Sequence, residues 1–410
     1  MRVNKKRNNI KPIIITAWPI RIARNYIHEY SAEIKTQPSA INYCQGGGIA
    51  LTAEEAKSKA IYEVVERYCG STMVQKTVNY PIKKVANNLN YIHPKLLIQF
   101  NNSQYTDDFP YSKINNNSML EWVQGYSHSD RKNKLIPAFS VYLGYNLISS
   151  LPQKYFPSSS CGLATYSSFD EAVVRGIFEL FERDSAMRVW LSRKGVARID
   201  IETIKNSKIQ YIIQKIKAED LLVDICFEAN SLRIPTIIVL IHASDRKIPF
   251  VSFGLSSGIK LEEAILKALL EAIMVRNTLD YLHKSRKLKK YSDYTEIKEF
   301  VDHIMYYAYP STSSKWKFLI SGEMIGYDEV NKFYINGLAH LNNLDSLVGH
   351  LKKNGLETIS IDLSNDVSKK FGLHVVRVII PGLMQMDYDY NFRFLGHKNC
   401  SINQNPHPFS

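Results

Sequence analysis

The sequence predicts a mixed α/β (α+β) fold, a single compound domain with internal pseudo-repeats and helices packed on mixed sheets. Three observations predict it. Strand-like and helical runs alternate along the chain, one helical pattern returns three times (from 54, 170 and 262), and no Pro/Gly/Ser-rich linker divides the 410 residues.

Taken in order, residues 1–45 form an N-terminal segment with a strand at Ile13–Trp18 and an irregular stretch up to Gly46-Gly47-Gly48. The first repeat helix spans 53–70. A variable stretch to about 118 follows, whose Asn-rich patches (87–90, 101–102 and 115–117) read as turns. Glu121–Tyr126 and Leu135–Tyr142 alternate as paired strands around a polar loop at Ser127–Lys134. The second repeat helix covers 168–190. Val223–Glu228, Thr236–Ile241 and Pro249–Gly254 are strand-length apolar runs, and the third repeat helix covers 261–283. Residues 286–345 are charged and partly helical, the segment most suited to facing a partner. The chain then returns to strand (357–362), helix (364–371) and strand (375–380), and ends in a Pro-containing tail at 400–410.

The three repeats read EEAKSKAIYEVVER, DEAVVRGIFELFER and EEAILKALLEAIMVR. At about 100° per residue, Ala56, Ala60, Glu63 and Arg67 fall in one stripe, with Glu66 beside Glu63. Ala172, Gly176, Glu179 and Arg183 repeat it with Glu182, and Ala264, Ala268 and Glu271 repeat it again, closing on Arg276. The other faces are apolar (Ile61, Val64 and Val65; Val173, Ile177, Phe178 and Phe181), so these helices have no ordinary solvated side. One such copy could be a surface Glu–Arg pair; three argue for carboxylates inside the protein, where they need arginines or a cation. Hard carboxylate oxygens suit Mg²⁺ and arginine suits phosphate, so the pattern predicts a nucleoside triphosphate with its metal. Glycines before each helix (Gly46–Gly48, Gly162, and Gly254 with Gly258) are read as loops that could cradle an anion. No Walker-type or dinucleotide-binding glycine motif is present.

Composition narrows the rest. The apolar share of 45% and charged share of 22% are those of a globular protein. The net charge of +13 favours an anionic partner, yet the basic residues are scattered and lack an aromatic stacking platform, so no nucleic-acid role is expected. No run approaches the roughly 18 apolar residues of a membrane span, and the basic N-terminus makes a poor signal peptide. Five separated cysteines offer neither a disulfide framework nor zinc spacing, and the cytoplasm is the expected location.

On these segments the chain resembles the YcaO family over nearly its full length. The resemblance is carried by GGGIALTAEEAKSKAIYEVVERY, SSSCGLATYSSFDEAVVRGIFELFERDSAMRVW and FGLSSGIKLEEAILKALLEAIMVR, with support from LIPAFSVYLGY and VVRVIIPGLMQMD. It implies ATP-dependent modification of peptide backbone amides around a buried ATP/Mg²⁺ site. In the azoline-forming members, Cys, Ser or Thr of a precursor peptide is cyclodehydrated to thiazoline or oxazoline. It further implies Glu63, Glu66, Glu179 and Glu182 on the metal, and Arg67, Arg183 and Arg276 near phosphate. Ser167, Glu171 and Glu271 join the nucleotide contacts. Azoline-forming members commonly end in Pro-x-Pro-x-Pro with the tail reaching the active site; here Pro406 and Pro408 match and Ser410 stands at the last proline. The tail carboxylate or His407 could then accept a proton. Cys161 is read as a packed thiol rather than a nucleophile.

The sequence departs from the family pattern at Lys59, at Tyr166-Ser167 and at Met274, where Ser, Gly-Asn and Gln are frequent. The implied partners are a precursor peptide and a separate leader-binding protein, and a homodimer is compatible with the chain. Thioamide or amidine formation, or a non-catalytic scaffold of a peptide-modification complex, are the alternative functions.

Overall fold

The computed structural model describes residues 14–20, 24–35, 45–230, 232, 234–338, 340–341, 343–397 and 403–409. Fourteen strands form three sheets among these residues. In chain order they are β1 (Ile14–Pro19), β2 (His28–Lys35), β3 (Gln45–Ala50), β4 (Val78–Pro81), β5 (Met119–Ser127), β6 (Lys132–Pro137) and β7 (Leu163–Tyr166). There follow β8 (Ala197–Ile199), β9 (Leu221–Ala229), β10 (Pro235–Ala243), β11 (Val251–Ser257), β12 (Met324–Ile325), β13 (Ile359–Asp362) and β14 (His374–Ile379). β1-β2-β3 is an antiparallel meander. A second sheet runs β11-β10-β9-β8-β12, antiparallel except for the β8–β12 pair. The third runs β4-β5-β13-β14-β7 with β6 also on β5, antiparallel throughout.

The repeat helices occupy Ala53–Gly70, Phe169–Ser192 and Leu261–Lys284. Thr52 and Ser168 cap the first two by accepting the Glu55 and Glu171 amides, and acids fill the first turn of all three, where they complement the helix dipole. Ala56, Ala60, Ala172, Ala264 and Ala268 are buried as the small-residue stripe requires. β10 is buried along its whole length, the pattern expected of the apolar run TIIVLI on an interior strand of a covered sheet.

Three expectations change. The stretch before Gly46 is not simply irregular, since β2 precedes it. The glycines themselves are not anion-cradling loops: Gly46–Gly48 lie in β3 and Gly254 lies in β11. A Cβ on Gly48 would stand 2.1 Å from the Ala56 carbonyl oxygen, and one on Gly254 2.1 Å from that of Ala268. Glycine is needed there because helix backbone rests directly on strand backbone, alanine stripe against glycine. Of the glycines expected in loops, Gly162 (φ +80) and Gly258 lie outside the strands. The strand expected over Leu135–Tyr142 also stops at Pro137 and becomes a 3₁₀ turn at Ala138–Ser140.

Candidate active site

The stripe contact fixes where the glutamates point. One turn beyond each alanine, the Gly47 N–H donates to Glu63 Oε2 at 2.8 Å and the Leu255 N–H donates to Glu271 Oε2 at 3.0 Å. The first and third strand–helix units therefore repeat one local arrangement, a strand amide holding a helix carboxylate. Glu63 Oε1 also accepts from Arg67 Nη2 at 3.0 Å. On the second helix, Arg183 Nε lies 3.7 Å from Glu182 Oε1 and 4.0 Å from Glu179 Oε1. Glu182 Oε2 accepts from the Ser257 N–H at 3.2 Å and from Lys267 Nζ at 3.4 Å.

Three helices thus bring five carboxylates together. Burial, the Glu179 charge and the Glu63 charge push the Glu66 carboxyl up to about 8, against the pull of Arg67. Burial and Glu182 raise Glu271 to about 7, against Arg183 and Lys267. Burial, aided by Glu182, raises Glu179 as well. Burial works against the charge of Arg183, but Glu182, Glu271 and Glu179 hold its guanidinium above the usual range. With Glu66 and Glu271 holding protons near neutrality, the cluster has an unmet demand for positive charge. A divalent cation would answer that demand with the hard oxygens it prefers.

The remaining predicted residues are placed less uniformly. Ser167 and Glu171 are exposed at the start of the second helix, where Glu171 Oε2 accepts from the cap Ser168 Oγ at 2.7 Å. Arg276 stands apart from the acidic cluster. Its Nη2 donates to the Pro249 carbonyl at 2.9 Å, and its charged neighbours are Asp280, Arg24 and Glu219. The reason is register: Arg67 and Arg183 lie four residues beyond Glu63 and Glu179, but Val275 holds that place after Glu271. One further residue rotates Arg276 by about 100°, off the stripe.

Two cations were not singled out from the sequence. Lys267 reaches Glu182, and it occupies the same register as Lys59 and Arg175, each directly before the small residue of its stripe. That repeat register was the available signal. Lys59 itself turns to Glu55 (2.8 Å) and the Ile49 carbonyl (3.2 Å), and Arg175 stacks over the Tyr166 ring. Arg377 on β14 donates to the Val141 and Cys161 carbonyls, and burial lowers its guanidinium to about 10 although Cys161, Glu179 and Glu66 oppose that. A lone arginine inside VVRVII was its signal. Cys161 is buried beside Arg377, as a packed thiol should be.

The tail lies next to this site. Phe409 packs on Phe253, two residues along β11 from Leu255, and on Trp190 of the second repeat helix. Pro406 and Pro408 are buried, and Ser410 lies outside the described residues. His407 is not a free base. Its Nε2 lies 2.6 Å from the Asp387 carbonyl and its Nδ1 accepts the Phe409 N–H at 3.3 Å. His303, Asp387 and His407 are close enough to hold a cation, but the two imidazoles stack at 4.1 Å and 17°. Parallel rings aim their nitrogens side by side rather than at one point, which makes the trio a clamp.

This carboxylate cluster, drawn from strand–helix repeats of a mixed α/β fold, is the feature to set against known families. The family model described as YcaO cyclodehydratase, ATP- and Mg²⁺-binding, matches residues 47–384, and the chain belongs to the YcaO family. Solved structures share the fold. A heterocyclase in complex with substrate and cofactor superposes with a TM-score of 0.75 at 18% identity, over 96% of this chain and 55% of that one. YcaO from Methanopyrus kandleri bound with AMPPCP and Mg²⁺ gives 0.62 at 17%, over 91% and 86%. The E. coli microcin synthetase McbBCD complex with pro-MccB17 bound gives 0.61 at 14%, over 89% and 87%. This chain spans about half the length of the heterocyclase chain.

Proposed function

We propose that this chain uses ATP and Mg²⁺ to activate backbone amides of a precursor peptide, cyclising Cys, Ser or Thr to thiazoline or oxazoline. The observation that carries the reading is the convergence of Glu63, Glu66, Glu179, Glu182 and Glu271 from three helices, with Arg67, Arg183 and Lys267 among them. Bound Mg-ATP supplies the phosphoryl group that turns the amide oxygen into a leaving group. The chain's own task is positioning and charge balance. Glu63, Glu66, Glu179 and Glu182 would hold the metal, and Arg67 and Arg183 the phosphates. The Gly47 and Leu255 amides hold Glu63 and Glu271 in orientation, and Lys267 offsets Glu182. Ser167 and Glu171, on the exposed rim, are suited to the nucleoside. Pro406, Pro408 and Ser410 are the tail residues proposed to contribute to the reaction. Arg276 has no part in this reading.

The microcin synthetase complex holds a peptide and further protein subunits, and a comparable precursor peptide and leader-binding partner are proposed here. The free thiols of Cys69, Cys161 and Cys226 suit a reducing cytoplasm. No helix among the described residues is long and apolar enough to cross a membrane.

Reconstitution tests the reading: the protein, ATP, Mg²⁺, a candidate peptide and its partner are combined and the product is weighed. Loss of one water mass per modified residue is expected. Exchange of oxygen for sulfur identifies a thioamide-forming enzyme instead. Failure to consume ATP, in conditions that support a related enzyme, leaves a scaffold.

A further inference from the structure

The tail is held in a way that the catalytic reading does not require. Five successive carbonyls, from Asn403 to His407, each accept from a different side chain of the body. Arg393 Nη2 donates to Asn403 at 2.6 Å, Tyr390 Oη to Gln404 at 2.6 Å and Trp190 Nε1 to Asn405 at 3.1 Å. Tyr307 Oη then donates to Pro406 at 2.6 Å and His303 Nδ1 to His407 at 2.7 Å. Burial and the neighbouring His407 lower His303 to about 3, so its ring is neutral and the shorter contact takes its single proton. The donors come from three places: the second repeat helix, the helix Phe300–Tyr307 and the loop at 390–393.

Pro406 and Pro408 have no N–H, while the Asn405 and Phe409 amides are satisfied within the tail by Asn403 Oδ1 and His407 Nδ1. At the start of the tail, the Asn403 N–H and Nδ2 donate to the body, to the Leu191 and Trp190 carbonyls at 3.2 and 3.0 Å. Beyond it the prolines set φ and preorganise the segment, which lowers the entropy lost on docking. Side chains are read as well: besides the Asn403 amide, Asn405 Oδ1 accepts from Tyr294 Oη at 2.9 Å. His407 stacks on His303 and approaches Asp387, with Nε2 3.2 Å from Oδ1, and Phe409 enters the cleft between Trp190 and Phe253. Both are almost wholly buried, whereas Gln404 is exposed.

We propose that this groove is a peptide-binding site in its own right. It recognises an extended Pro-His-Pro-Phe segment through successive carbonyls, and the chain's own end is the ligand it holds. The same segment supplied in trans therefore binds whenever the attached tail is missing or weakened. This deepens the tail's proposed role beside the acidic cluster and rests on that reading only for its consequence in turnover.

The test is fluorescence anisotropy with a labelled synthetic peptide of Asn403–Ser410. Two proteins are used: the chain ended after residue 402, its fold checked by circular dichroism and melting, and the full-length His407→Ala variant. Saturable binding to both is expected, about tenfold or more tighter than to the intact chain. A peptide carrying Gln404→Ala should bind within about twofold of the parent and one carrying His407→Ala about tenfold more weakly. No binding to either folded protein, or equal losses from the two peptide changes, overturns the proposal. If truncation prevents folding, the full-length variant decides. Loss of ATP consumption bears on the acidic cluster alone, because anisotropy needs no turnover.

Discussion

Glu66 and Glu271 keep protons that an exposed glutamate would lose, and this has a signed consequence. Each binds its proton more tightly folded than unfolded, as does Glu179. The stabilisation is complete below the ordinary carboxylate range of about 4.3 and is lost as pH rises through about 7 to 8. The metal-free chain should therefore melt at progressively lower temperature between about pH 5 and 8.5, and Mg²⁺ with ATP should flatten that slope. Differential scanning calorimetry across the range checks it; a flat metal-free profile is the contrary result. Glu66→Gln should stabilise the metal-free protein at pH 8, by on the order of 1 kcal/mol, while lowering turnover at least about a hundredfold. Lys267 is argued at the same scale. Lys267→Gln removes the charge that pulls the Glu271 and Glu179 carboxyls down and should move the acidic limb of the pH–rate profile upward, with Lys267→Arg restoring it. An unmoved limb would limit Lys267 to packing.

At the scale of elements, the decisive contact is strand glycine on helix alanine. A methyl group on Gly254 has no room, because the Ala268 carbonyl and the Ala272 amide are backbone atoms that cannot swing aside. Gly254→Ala should cost about 3 kcal/mol or more and displace the Glu271 carboxylate from the Leu255 amide. Gly258→Ala is the control: nothing lies within 4 Å of the added carbon, so its melting temperature should match the parent. Helix bounds, stripe burial and most strands were legible, since they depend on spacing within a segment. β3 and β11 were partly misread because glycine ordinarily marks a turn. Its alternative use, letting two backbones touch, depends on a helix that follows in sequence and then folds back across the strand.

For the whole molecule, the acidic site exists only when three sheets bring their helices together, so binding there should stabilise all of it. Mg-ATP should raise the melting temperature of the intact chain, and Glu182→Gln should abolish most of that rise. An equal rise in the variant would place the nucleotide elsewhere.

By itself the sequence determined the three repeats, the carboxylate chemistry they carry, the family and the composition of the tail. These follow from residue type and local periodicity. Tertiary structure alone decided which charges share the site. It admitted Lys267 and Arg377, turned Arg276 away through a one-residue change of register, and made His407 a clamp rather than a free base. The physical reason is that charge state and contact are set by neighbours distant in sequence: Glu182 meets Lys267 across 85 residues, and Trp190 meets the tail across 215. No spacing within a segment encodes such a meeting.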